Sequence, residues 1–260
     1  MNSIKPENID DYYKWCKKEL NFEITSQLEN YYNSITVKLK ADFEKSLFWK
    51  SILDKRVVLN QEYLAQTSYN LFTFDFKPEI VTKSFSSFIE KTFRRNVIFN
   101  KNFPKAPYGG WITPQNWYEN TNDIIRTFFV VKYLDGVEFL MQKISEIATE
   151  NNLICQNSFE ARDEGYYALH LYIISDFEIP KQTWDTEIKK MSIEIQVTTQ
   201  LQDVISKLTH KFYEERRISL KKPDKKWQWN YKSDEFAVNY LGHILHYLEG
   251  MIMDVRQKTK

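Results

Sequence analysis

Apolar positions recur every three or four residues over the first third of the chain. Tyr12, Trp15 and Cys16 share one helical face, and Leu28, Tyr31, Tyr32 and Ile35 share another. This spacing predicts helices over residues 8 to about 66, and a further helix over roughly 78–95. The pattern then lapses. "FNKNFPKAPYGGWITPQNWYEN" carries three prolines and the Gly109-Gly110 pair and reads as a long loop, a length that is uncommon and often functional. After it the character changes. "DIIRTFFVVKY", from Asp123 to Tyr133, is β-branched and aromatic on both faces, as a central strand should be. "DGVEFLMQKISEIATENN" returns to helical spacing, with Val137, Leu140, Met141, Ile144 and Ile147 on one face. "LICQNSFEA" and "YYALHLYII" read as strands. "KMSIEIQVT" alternates strictly, with Met191, Ile193, Ile195 and Val197 on one side and Ser192, Glu194, Gln196 and Thr198 on the other. Helices follow over about 199–217 and about 233–256. The last has Ala237, Leu241, Ile244, Leu245, Leu248, Ile252 and Val255 as its predicted buried stripe.

The order is helices, then strand–helix–strand–strand–strand, then helices. It predicts an α/β (α+β) fold: a mixed sheet of four to five strands with helical N- and C-terminal flanks. The expected divisions are a helical region over 1–79, a core over 80–217 and a helical extension over 218–260. Composition removes several function classes. The 36 basic and 35 acidic side chains nearly cancel, so no global field draws the protein to nucleic acid or to a membrane. The two cysteines, Cys16 and Cys155, form neither a metal spacing nor a disulfide framework, and a reducing, cytoplasmic setting is expected. The N-terminus has no signal-peptide pattern, and no apolar run approaches the roughly 20 residues that span a bilayer. Neither a P-loop nor a GxGxxG fingerprint is present.

Two carboxylates stand out. Asp123 lies where a central strand opens, and Glu194 lies mid-strand on a polar face. On neighbouring strands they would converge on a site for Mg²⁺, which takes one or two carboxylates plus substrate phosphate oxygens. A solvent-facing antiparallel strand would give the same alternation around Glu194. Arg94, Arg95, Lys101, Lys105 and Arg126 are close in sequence to Asp123 and are candidate phosphate ligands. His243, His246 and Glu249 have metal-ligand spacing but sit opposite the apolar stripe of the last helix, so a packing role is expected. "RRISLKKPDKKWQWNY" mixes basic residues and tryptophans, as a connector or an RNA-contact surface would.

Taken together these pieces resemble the synthetase domain of the RelA/SpoT family, the alarmone synthetases. The resemblance rests on Asp123 at a strand opening; on Gly165, Tyr166, Leu169 and His170; on Glu194, Gln196 and Thr199; and on "KLTHKFY" with His210. It covers roughly residues 80–217. It implies a nucleotidyltransferase-like fold and an Mg²⁺-dependent transfer of the β,γ-pyrophosphate of ATP to a 3′-hydroxyl of a guanosine or adenosine nucleotide. Asp123 and Glu194 would hold the metal, and Glu194 would also activate the hydroxyl. Tyr166 would stack on the acceptor's base, with Gly165, His170 and Gln196 completing that pocket, while Arg126, Lys101, Lys105 and Arg95 would take ATP. Small toxic relatives imply a second acceptor, the 3′ end of tRNA. A catalytically silent nucleotide- or RNA-binding module is the third reading. The absence of a His-Asp pair implies that the family's hydrolase half is missing. The chain departs from the family pattern at Glu164, Tyr167, Ala168, Thr198 and Phe128.

Overall fold

The computed structural model describes residues 4–73, 77–181, 185–218 and 226–258, and over 210–218 the backbone alone. His210's side chain and the basic stretch over 219–225 therefore lie outside the described residues. The first third is helical, as the periodicity predicts. α1 (Ile9–Glu19) is capped by the Asn8 side chain, which accepts from the Asp11 amide. α2 (Ser26–Lys45) and α3 (Leu47–Thr67) are separated by Ser46 alone, whose hydroxyl accepts from Trp49 N and restarts the helix.

The helix expected over 78–95 begins late. Residues Ile80–Thr82 form β1, and α4 (Phe85–Phe93) starts where the Ser84 hydroxyl accepts from the Ser87 amide. One π-helical turn, Arg94–Ile98, continues it. Then come β2 (Ile125–Val131), α5 (Leu134–Glu150), β3 (Ile154–Ala161), β4 (Tyr167–Pro180), β5 (Thr186–Thr199), α6 (Gln200–Ile218) and α7 (Asp234–Lys258). The strands form a mixed five-stranded sheet in the order β1-β2-β5-β4-β3. β2 and β5 run parallel with Arg126 opposite Glu194; β3 and β4 run antiparallel. The fold class read from the sequence is the one observed.

The backbone divides into two units. The first comprises residues up to Asp42, Val81–Ile125 and Ser175–Ile193. Its core is aromatic: Tyr32 stacks on Phe88 at 4.9 Å and Phe88 meets Trp117 edge-on at 5.0 Å. The second comprises Phe43–Ile80, Arg126–Ile174 and the chain from Glu194 onward. There one sheet face is largely apolar, with Thr127 also buried on it. Phe129, Val131, Leu169, Leu171, Ile173, Ile195 and Val197 are buried on it, and Trp49 of α3 meets Phe129 edge-on.

α5 buries Val137, Leu140, Ile144 and Ile147 of the stripe its sequence predicts and half-buries Met141. α7 does not bury its own. Leu241, Ile244, Leu248, Ile252 and Val255 are exposed, and the buried residues are Asn239, Gly242, Glu249 and Arg256. The inversion has local causes. Glu249 accepts from Thr199 Oγ1 and from Gln202 Nε2. Arg256 pairs with Asp135 at 3.0 Å and lies against the rings of Tyr69 and Tyr133, 4.1 and 4.2 Å from their centroids. Paired ions and cation–π contacts decide which face turns inward, against the apolar periodicity.

Candidate active site

The second unit carries a polar sheet face opposite the apolar one. Strict alternation puts Arg126 and Phe128 of β2, Glu194 and Gln196 of β5, and His170 and Tyr172 of β4 on that face. Glu194 is only 6% exposed, so this is not the solvent-facing strand that the alternation alone would allow. Its Oε1 accepts from Gln196 Nε2, and His170 Nδ1 stands 3.7 Å away. Among the described residues no hydrogen bond reaches Oε2. His170, also buried, shares a 3.0 Å hydrogen bond between Nε2 and the Tyr166 hydroxyl and lies 3.4 Å from the Tyr172 hydroxyl. A chain of contacts thus runs from Tyr166 through His170 to Glu194.

Gly165 sets up that chain. Its φ of +79° is a left-handed conformation that side chains disfavour, and it turns the backbone between β3 and β4 so that Tyr166 precedes β4 directly. The Arg162 guanidinium lies 5.1 Å from the centre of the Tyr166 ring. Arg126, in register with Glu194, contacts the Phe128 ring at 5.4 Å; its Nε is buried without a hydrogen-bond partner among the described residues. A buried guanidinium nitrogen beside a glutamate register position suits an anionic ligand.

Asp123 belongs to the first unit. The sequence places it where β2 opens; in the structure it stands in the turn two residues before Ile125. Lys91 Nζ reaches its Oδ1 at 2.7 Å and Lys83 Nζ its Oδ2 at 3.0 Å. Burial raises the affinity of this carboxyl for a proton, but the two ammonium groups outweigh it and hold its pKa at about 2. Lys83 and Lys91 were not picked out from the sequence. The available signal is the N-cap: with Ser84 capping α4, Lys83 falls just before the helix and Lys91 two turns into it. The cluster carries one net positive charge. Lys101 and Lys105 are exposed, and Arg95 donates to the Asn120 carbonyl.

The carboxylates differ as metal ligands. Glu194 fits a hard divalent cation, since one oxygen is held and the other has no hydrogen-bond partner among the described residues. Asp123 has both oxygens engaged by lysines, so it fits only where those ammonium groups turn to another anion. His243 and His246 are not ligands of a common ion. Both lie against Tyr167: His243 Nδ1 is 2.8 Å from its hydroxyl, and the His246 ring stacks on it at 3.7 Å. The packing role expected for this pair is the one observed.

No protein-family model matches the chain, and no curated protein matches it in sequence. Solved structures do. A GTP pyrophosphokinase family protein from Streptococcus pneumoniae aligns over 90% of this chain and 93% of its own, at 16% identity and a TM-score of 0.52. Small alarmone synthetase 1 from Bacillus subtilis, bound to its product pppGpp, aligns over 85% and 98% at 12% identity and 0.53. The same synthetase bound to AMPCPP aligns over 90% and 98% at 12% identity and 0.50. The chain therefore has the fold of the small alarmone synthetases, which is the RelA/SpoT synthetase-like fold. No helix among the described residues is long and apolar enough to cross a membrane.

Proposed function

We propose that this protein is a pyrophosphokinase that moves the β,γ-pyrophosphoryl group of ATP to the 3′-hydroxyl of a guanosine nucleotide. The observation that carries the reading is the buried Glu194 on the polar face, with one oxygen held by Gln196 and the other without a hydrogen bond among the described residues, beside a histidine that in turn meets the Tyr166 hydroxyl. A carboxylate so placed is a suitable general base. That the structural relatives are alarmone synthetases, one holding pppGpp and one holding an ATP analogue, supports the choice of substrates.

In this reading the acceptor's base stacks on Tyr166, and its ribose reaches toward Glu194. Glu194 takes the proton of the 3′-hydroxyl. The 3′ oxygen forms a bond to the β-phosphorus of ATP, the bond from that phosphorus to the α,β-bridging oxygen breaks, and AMP leaves. His170 holds the Tyr166 hydroxyl and steadies the carboxylate. Arg126 faces the phosphates. Asp123 and Glu194 are the residues that would hold Mg²⁺ in this reading, as the family resemblance implies. Bound Mg²⁺ would offset the phosphate charge. Arg95, Lys101 and Lys105 remain secondary candidates for ATP contact.

The test is incubation with ATP labelled at the γ-phosphate, Mg²⁺, and in turn GDP, GTP, ATP and total tRNA. Label on GDP or GTP is the expected result. Label on ATP or tRNA alone would replace the guanosine acceptor, and label on none would favour a silent binding module.

A further inference from the structure

We propose that α7 clamps the turn carrying Tyr166, and that His243 with Tyr167 forms a positioning pair for the acceptor. This deepens the pyrophosphokinase reading and rests on it. The turn over 162–165 is otherwise a surface hairpin, with Arg162 and Asp163 exposed. Such segments open readily when few buried contacts hold them. Here α7 holds it in three ways.

The first is a backbone crossing. A Cβ on Gly165 would lie 2.5 Å from the Asn239 carbonyl oxygen and 3.0 Å from His243 N, and a Cβ on Gly242 would run into the Gly165 carbonyl. Two glycines let the turn and the helix meet main chain to main chain. The second is a bridge through His243. Its Nε2 lies 2.9 Å from the Asp163 carbonyl oxygen, which only accepts, so Nε2 carries the proton. In the neutral ring Nδ1 then accepts from the Tyr167 hydroxyl at 2.8 Å. One imidazole thereby ties both sides of the turn, at Asp163 and at Tyr167. The third is the stack of His246 on Tyr167, at 3.7 Å with the planes 10° apart. Tyr166 lies between the tied residues and is left to face the site. The helix is itself anchored further along by Glu249 and Arg256.

Neither His243 nor Tyr167 touches the reacting groups in this account; they act through Tyr166. The experiment uses the full chain with His243→Ala and, as a milder variant, Tyr167→Phe, which keeps the ring under His246 and removes only the hydroxyl. Deuterium uptake over 162–167 is measured with KM for ATP and for whichever of GDP, GTP and ATP the wild type pyrophosphorylates. The clamp predicts faster uptake in the turn. It also predicts an acceptor KM raised roughly 3–10-fold for each hydrogen bond lost, with the ATP KM and kcat at saturating acceptor close to wild type. The two variants combined should exceed neither greatly, because they break the same bridge. Unchanged uptake in both variants overturns the clamp. Faster uptake with an unchanged acceptor KM, or equal losses for both substrates, overturns the positioning role. A wild type that modifies no acceptor sinks the pyrophosphokinase reading instead, and exchange alone then decides the clamp.

Discussion

Two glutamates of the second unit are almost equally buried, Glu194 at 6% and Glu249 at 5% exposure, and each has a glutamine partner. They differ in what remains. Glu249 has both oxygens engaged, Oε1 by Thr199 and Oε2 by Gln202, on the buried side of α7. Among the described residues Glu194 has only Oε1 engaged, on a sheet face shared with Arg126 and His170. Burial alone therefore does not mark a reactive carboxylate. A satisfied one holds elements together; one left with an unused oxygen beside cationic and aromatic groups is arranged for a ligand.

The largest expected effect separates the two directly. Glu194→Gln should lower kcat by about 10²–10⁴-fold, the usual worth of general-base assistance, with little change in melting temperature. Glu249→Ala should do the reverse. It strands the Thr199 and Gln202 side chains and should cost about 1–3 kcal/mol of stability, read by urea unfolding, while kcat at saturating acceptor stays near wild type. Comparable kinetic losses from both would erase the distinction.

Tyr166 tests the ligand side of the comparison. Tyr166→Ala should weaken acceptor binding by the worth of one stacked base, roughly 1–3 kcal/mol, and Tyr166→Phe should retain most of it, seen in acceptor KM. A smaller effect concerns Asp123, the carboxylate saturated by lysines. Its pKa is depressed from 3.8 to about 2, so the stability it contributes is present above about pH 4 and lost as the pH falls through 2. Asp123→Asn should flatten the stability–pH curve in that window and leave it unchanged at neutral pH except for a constant offset.

The sequence discloses most where chemistry and period coincide. The alternation of β5 fixes which residues accompany Glu194, and Gly165 before Tyr166 marks a turn that only a left-handed residue makes easily. It discloses least where pairing overrides hydrophobicity. On α5 the apolar stripe is the buried stripe; on α7 buried Glu249 and Arg256, and the backbone crossing at Gly242, turn the stripe outward. Those partners, Thr199, Asp135 and Gly165, lie far from α7 in sequence, so no local window reveals them. The lysines on Asp123 were missed for the same reason: Lys83 and Lys91 precede it by 40 and 32 residues.

The most direct test of the central claim is transfer of γ-labelled pyrophosphate from ATP to GDP by the wild type and by Glu194→Gln, each checked for an unchanged melting temperature. The account predicts a labelled guanosine nucleotide and AMP with the wild type, and none above background with the variant. A variant that transfers label at near the wild-type rate would contradict it, and would make Glu194 a structural residue like Glu249.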